Sequence, residues 1–320
     1  MTGMRSSKKW FLIIESVIVV IVLVFAVTLF LEKNREKNCK ISVIVQDSNS
    51  SQWSAFKYGL KKAAEDYKVE LTAVSTGESM TVEEEMHIIH SEIENGTDAL
   101  IIQPVPGTDT EEMLKKIQKK VPVMLVDMVA EETTNIPCTQ PDHYAMGVSL
   151  AKELIKDYNS NIEKKTFGIV AQTHQTQAAI NREKGFKDTI AGLGAKVKWS
   201  IALAQDSSLK DQAKVDFIIA LDDRSLVASG EDSAANNLHG ALVYGIGNST
   251  EAVYYLDTGI VQCLVVPDEF NMGYQSLTQA AERLSRSLSQ MQNAAVNYMV
   301  IRREELFSKK NQELLFTMSQ

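Results

Sequence analysis

Two adjacent acids, Asp222 and Asp223, follow the apolar run F-I-I-A-L and are the first place to look for acid–base chemistry. A glycosidase needs two carboxyls held at a set separation across one bond. Neighbouring residues at a strand end point in different directions, so this pair reads as one ligand-binding or helix-capping acid and not as a catalytic couple. His87, His90 and Glu94 share a helical face, as in a zinc site, but H-E-x-x-H is absent and a solvated polar face accounts for them. Asp47, Asn49 and Ser51 begin like a calcium loop. Its sixth position is Gln52 where Gly is needed and its twelfth is Tyr58 where Glu is needed, which excludes it. G-I-G-N-S-T from Gly245 has the setting of a dinucleotide fingerprint but lacks the third glycine, and reads as a tight strand-to-helix turn. Nucleophile-elbow, P-loop and helix-turn-helix signatures are absent. The expectation is a binding protein, with no catalytic residue, cofactor or metal.

The polar residues that remain stand at the ends of apolar runs. From Asn95 to Asp127 the chain gives a strand (Ala99 to Ile102), a Pro/Gly loop, a helix with Met113, Leu114 and Ile117 at core spacing, and a second strand that stops on Asp127. Strands apolar on both faces belong to parallel sheets covered by helices, and such sheets bind ligands at the carboxyl ends of their strands. Gln103 and Asp127 occupy two such ends. The same alternation starts at Ile41 and starts again after Pro141 with strands at Thr166 to Ala171, Val197 to Leu203, Val215 to Leu221, Ala241 to Ile246 and Val261 to Val266; Tyr298 to Ile301 reads as a late strand. Two runs of βα units with right-handed crossovers predict an α/β protein of two doubly wound parallel-sheet lobes with a cleft between them.

Charge narrows the partners. The net charge is -8, and the first forty residues carry seven Lys/Arg against three Asp/Glu, so the remainder is at -12. So acidic a body excludes phosphate backbones, and no nucleic acid is expected. The three cysteines, Cys39, Cys138 and Cys263, are too scattered for a disulfide framework; isolated buried thiols are expected, with a Cys138 to Cys263 bridge as the alternative.

Trp10 to Leu31 supplies about the twenty apolar residues that a bilayer-crossing helix needs. No small-x-small cleavage site follows it, so an uncleaved signal anchor is expected, with a lipid bilayer as one partner. Arg5, Lys8 and Lys9 favour a cytoplasmic tail over residues 1–9. Glu15, about a turn and a half into the span, reads as a headgroup-level side chain. Residues 32–40 form a short charged linker.

Several motifs in order resemble the type I periplasmic binding proteins, the ribose- and galactose-binding family that shares its fold with the effector domain of lac-type repressors. They are G-T-D-A-L-I-I-Q-P with P-V-M-L-V-D, D-H-Y-A-M-G-V-S-L-A at Asp142, A-A-I-N-R-E-K-G-F-K-D at Ala178, D-F-I-I-A-L-D-D at Asp216, and N-M-G-Y at Asn271 before a long helix. The resemblance spans about Ile41 to Leu306. It implies a clamp with three hinge crossings, near Gln140 and Pro141, Pro267 and Asp268, and Asn293 to Asn297. One lobe would hold residues 41–140 and 268–292, the other 141–267 and 293–320.

By the same resemblance Trp53 stacks on an apolar sugar face, and Gln103, Asp127, Asp222 and Asn248 supply hydrogen bonds to the ligand. The sequence departs from the family at four positions. Met128 and Ile180 stand where Arg is usual, Gly247 where an acid is expected, and Pro267 where Gln is expected. Two lost guanidiniums remove planar donor forks suited to sugar hydroxyls. The segment from Gln205 to Val215 leaves room for only a short helix. The function implied is extracytoplasmic binding of a small sugar-like solute by a single-pass protein of the bacterial cell membrane. It would act as the substrate-binding component of an ABC-type sugar transporter; the alternative is a ligand sensor signalling to a membrane histidine kinase. A membrane-tethered carbohydrate-active enzyme is the alternative from another class, and nothing in the motifs supports it.

Overall fold

A computed structural model of the protein describes residues 15–27, 39–46, 50–77, 80–127, 135–172, 176–203, 208–286 and 288–316. The chain divides into two units, Met1–Asn38 and Cys39–Gln320. In the first, residues 15–27 form a helix, α1, exposed along its length. They are the middle of the expected span 10–31, whose ends lie outside the described residues. Among the described residues no helix is long and apolar enough to cross a membrane.

In the second unit the apolar runs pair into two sheets. β1 (Lys40–Gln46), β2 (Glu70–Thr76), β3 (Ala99–Ile102), β4 (Val123–Val126), β5 (Cys138–Pro141) and β11 (Ala294–Val296) form one, in the order β11-β5-β4-β3-β1-β2, with every pair parallel. β6 (Thr166–Ala171), β7 (Lys196–Ala202), β8 (Phe217–Ala220), β9 (Leu242–Ile246), β10 (Val261–Pro267) and β12 (Tyr298–Ile301) form the other, in the order β12-β10-β9-β8-β6-β7. Only β12 there is antiparallel, against β10. The expected pair of doubly wound α/β sheets is therefore present.

Alternation of side chains explains why both faces of each sheet are dry. In the first sheet Ile41, Val43, Ala99, Ile101, Met124 and Val126 point to one core layer, under α2 (Ser54–Tyr67) and α9 (Glu269–Ser285). Ile44, Leu100, Ile102, Val123 and Leu125 point to the other, under α3 (Val82–Glu94) and α4 (Thr110–Ile117). In the second sheet Phe167, Ile169, Phe217 and Ile219 face α5 (His143–Tyr158) and α6 (Gln177–Ile190), while Val170, Ile218 and Val243 face α7 (Asp223–Ala234) and α8 (Thr250–Asp257). Strands buried at every position in this way can sit only in a sheet covered twice.

The chain passes between the sheets after Pro141, after Pro267 and at Asn297, between β11 and β12. Strand β11 pairs with β5, so the first sheet reaches residue 296 and extends past the expected boundary at 292. Between β7 and β8 the described residues 208–216 form no helix, where a short one was expected. Asp232 ties this segment down instead, accepting from Leu209 N at 2.6 Å and Ser208 Oγ at 2.8 Å. The Trp199 ring lies against the bare backbone of Gly168 and donates from Nε1 to Ala213 O at 2.7 Å, filling space a helix would take. Cys138 and Cys263 are buried in different sheets, with no disulfide between them.

A buried acid fixes the loop that follows β3. Glu85 lies in the first turn of α3, behind a capping box made by Thr81 and Glu84. It is fully buried, and both carboxyl oxygens accept the Val105 N–H, at 3.1 and 3.2 Å. Burial pushes its pKa from 4.5 up to about 7 despite that bond. The folded protein thus holds a proton that the unfolded chain has lost between these values. This contribution to stability is full below about pH 4.5 and is lost as the pH rises through 7. Chemical denaturation at pH 8 should find Glu85→Gln more stable than wild type by about 1–2 kcal/mol, the ionisation cost less that of an unpaired amide NH2. The advantage should shrink toward pH 4.5; a pH-independent difference would show that Glu85 does not titrate there.

Candidate ligand-binding site

The strands of both sheets end at one cleft of about 550 Å³, counting its open mouth. Gln46 closes β1, Gln103 follows β3 and Asp127 follows β4; across from them Gln172 follows β6, Asp222 and Asp223 follow β8, Gly247 and Asn248 follow β9, and Pro267 closes β10. Strand order reverses at β1/β3 and at β6/β8. The crevice outside the carboxyl ends at such reversals is where open α/β sheets take ligands.

All five residues singled out from sequence, Trp53, Gln103, Asp127, Asp222 and Asn248, line this cleft, but their side chains are occupied to different degrees. Trp53 belongs to the core: it is 4% exposed, meets Phe56 edge-on at 5.3 Å and donates from Nε1 to Gln46 O at 2.8 Å. The expected stacking platform is thus largely buried in the wall. Asp222 is a capping acid. Its Oδ1 accepts Ser225 N at 2.9 Å, its Oδ2 accepts Gln172 N at 2.6 Å, and it closes a capping box at the start of α7. Asn248 donates from Nδ2 to Gln52 O at 3.0 Å, joining the two walls, as does the Gln172 to Gln46 side-chain contact at 3.4 Å. Gln103 makes one long contact, accepting Gln46 N at 3.4 Å. Asp223 holds the β9 turn by accepting Asn248 N and Ser249 N, both at 2.8 Å, while burial pushes its carboxyl above the usual range.

Asp127 ends β4 in the left-handed region, with φ of 49°, a conformation that costs a non-glycine residue energy and marks functional sites. Its Oδ1 lies 3.3 Å from the Arg182 guanidinium. Arg182 is 7% exposed and also donates to Leu221 O at 3.0 Å and, from Nε, to His143 Nδ1 at 3.1 Å. Burial, then the Arg182 charge, holds His143 far below its usual pKa. It is therefore neutral, and with Nδ1 accepting, its proton sits on Nε2, 3.6 Å from Asp127 Oδ1. Burial and the Asp222 charge push Asp127 upward, against the pull of Arg182.

Arg182 was not expected here. The sequence places the family's cleft guanidinium at residue 180, but Ile180 is 41% exposed on the outside of α6. The cleft instead receives a guanidinium from two residues further on. The signal was in the glycines. A Cβ on Gly147 would stand 2.0 Å from Arg182 O, and one on Gly185 would stand 2.1 Å from Tyr144 O, so α5 and α6 cross with backbones touching and Arg182 is carried inward. Met128 lies outside the described residues. Glu269, at the start of α9, was also missed: it is 9% exposed, lines the cleft, and its Oε2 is buried with no hydrogen-bond partner among the described residues.

Residues 41–286 match the family described as periplasmic binding protein domain, and the chain belongs to it. More narrowly, it is a periplasmic binding protein of type I, as its motifs implied. It is similar in fold to a carbohydrate transporter solute-binding protein from Agrobacterium radiobacter solved with D-arabinose, at 20% identity over 88% of this chain and 99% of that one, TM-score 0.78. It is similar too to GanP, a glucose-galactose binding protein from Geobacillus stearothermophilus, at 18% identity over 85% of this chain and 100% of that one, TM-score 0.74. A third similar structure is a XylFII-LytSN complex, at 14% identity over 83% and 98% of the two chains, TM-score 0.71. No curated protein matches the sequence.

If the indole of Trp53 is part of the wall, Trp53→Ala should cost about 3–5 kcal/mol in urea denaturation and Trp53→Phe considerably less. A Trp53→Ala protein of unchanged stability would return Trp53 to the role of a free stacking platform.

Proposed function

We propose that the protein binds a small carbohydrate in this cleft, outside the cytoplasm, as the substrate-binding component of an ABC-type sugar transporter. The observation that carries this is the convergence of planar amide and carboxyl groups, from Gln46, Gln103, Asp127, Gln172 and Asn248, on one cleft at the carboxyl ends of both sheets. Sugars are recognised by such planar groups, each serving two hydroxyl contacts. The similar solved structures, one in complex with D-arabinose and one a glucose-galactose binding protein, support the same ligand class. Residues 10–31 would tether the protein as a single-pass signal anchor; the support is their apolar run. Two lobes, 41–140 with 268–296 and 141–267 with 297–320 once β11 is counted in the first sheet, would close on the ligand, moving at the three passages between the sheets.

Sensing is the second reading. The linker over residues 32–40 gives little reach toward a permease, and one similar fold is solved in complex with another protein, LytSN. In that reading, lobe closure would pass to a membrane histidine kinase. Among the described residues that line the cleft no nucleophile is paired with a base, so no observation there favours an enzyme.

Titration calorimetry against pentoses, hexoses, polyols and amino sugars should find at least one ligand. Asp127→Ala should weaken that ligand by about tenfold or more, since a hydrogen bond to a charged group is worth some 1.5–3 kcal/mol. A folded protein that binds none of the panel would sink the reading. Crosslinking in membranes followed by identification of the partner separates the two outputs: a permease alone excludes sensing, and a kinase alone excludes transport.

A further inference from the structure

The charge inside the cleft does not balance. Four carboxyls line it, on Asp127, Asp222, Asp223 and Glu269, and Arg182 is the one cation among the described lining residues. His143 behind it is neutral. Arg182 is spent on Asp127 at 3.3 Å. Asp222 and Asp223 are each held by backbone N–H groups, two on Asp222 and two on Asp223. Glu269 is different. It is nine-tenths buried, faces the cleft, and its Oε2 has no partner among the described residues. Buried polar groups in folded proteins are nearly always paired, so an unpaired carboxyl oxygen on a side chain that lines a binding cleft marks a place for a donor supplied by the ligand.

A hydroxyl would make an ordinary hydrogen bond there. A protonated amine would make a charge-assisted one, and a lining of four carboxyls against one guanidinium adds to its attraction. The geometry points to a ligand that is a polyhydroxylated cation, an amino sugar whose ammonium group sits against Glu269 while its hydroxyls meet Gln46, Gln103, Gln172 and Asn248. This rests on the reading of the cleft as a carbohydrate site. With only protein groups around it, Glu269 is pushed well above its usual pKa by burial, then by Asp127, with Asp223 and Asp268 adding and Arg182 opposing. An ammonium ion beside it opposes that upward shift and favours the ionised carboxylate, with any proton displaced passing to solvent.

The test pairs each amino sugar with its neutral parent and its N-acetyl derivative: glucosamine, galactosamine and mannosamine against glucose, galactose and mannose, by calorimetry at pH 7 on the whole chain in detergent. At least one amine should bind about tenfold or more tightly than its parent and its N-acetyl form, the ratio that about 1.4 kcal/mol of charge pairing supplies. Glu269→Gln should abolish that preference, so that amine and neutral parent bind the variant with affinities within about threefold of each other, with a thermal melt showing that the variant is folded. Neutral sugars binding as well as or better than the amines would overturn the inference and leave the carbohydrate reading standing. Amine preference that survives Glu269→Gln would overturn the assignment to this residue. Binding of no sugar at all would overturn both.

Discussion

A single guanidinium holds the two halves of the binding unit in register. Arg182 reaches Asp127 at the end of a first-sheet strand, Leu221 O at the end of a second-sheet strand, and His143 at the start of the helix that follows the first passage between sheets. Burying a charge this deeply is costly, and it is tolerated because every side of the fork is met by an acceptor. The fork stands where it does because two glycines let α5 and α6 touch, so the position of the charge is set by backbone packing several residues away. The same device recurs in the other half. A Cβ on Gly59 would stand 2.1 Å from Phe270 O and one on Gly273 would stand 2.2 Å from Phe56 O, which brings α9, and with it Glu269, down onto the first sheet.

Much of the polar chemistry in the cleft serves the scaffold. Asp222 caps a helix, Asp223 braces a turn, and the Trp53 ring completes a core layer. Each of these also faces the cleft, which makes the wall stiff: its side chains are fixed by second partners before any ligand arrives, and less conformational entropy remains to be lost on binding. The amides of Gln103, Gln172 and Asn248 are held more loosely, by a contact at the longer end of the hydrogen-bond range or by bonds that cross the cleft.

Those crossing bonds matter for motion. Asn248 to Gln52, Gln172 to Gln46, and Ser51 Oγ to Glu251 at 2.8 Å join the walls alongside the Arg182 pair. Part-buried and exposed polar contacts of this sort are each worth little net, so they set only a small barrier between closed and open forms. A ligand that bonds both walls shifts such an equilibrium by its difference in affinity for the closed and open forms. That difference is what either a permease or a kinase would detect.

The two-sheet α/β architecture was legible in the residues because period-two burial and strand-to-helix alternation are local properties: Ile41 to Val45, Ala99 to Ile102 and Tyr298 to Ile301 announce themselves without reference to the rest. Gln103 and Asp127 could be placed at the cleft for the same reason, since a strand end is visible in sequence and the fold puts strand ends together. What the sequence could not decide is which side chains remain free once everything has packed. Trp53 looks like an open aromatic platform until Phe56 and Gln46 take its edges. Ile180 occupies the position where an arginine was expected, yet helix rotation at a glycine crossing turns Ile180 to solvent and Arg182 inward. Glu269 looks like an ordinary first-turn acid, and only the approach of Asp127, Asp223 and Arg182 from distant segments makes it a buried group without a partner. Local pattern determines elements and their ends; long-range contact, summed over segments far apart in the chain, decides solvation and charge, and these are what a ligand meets.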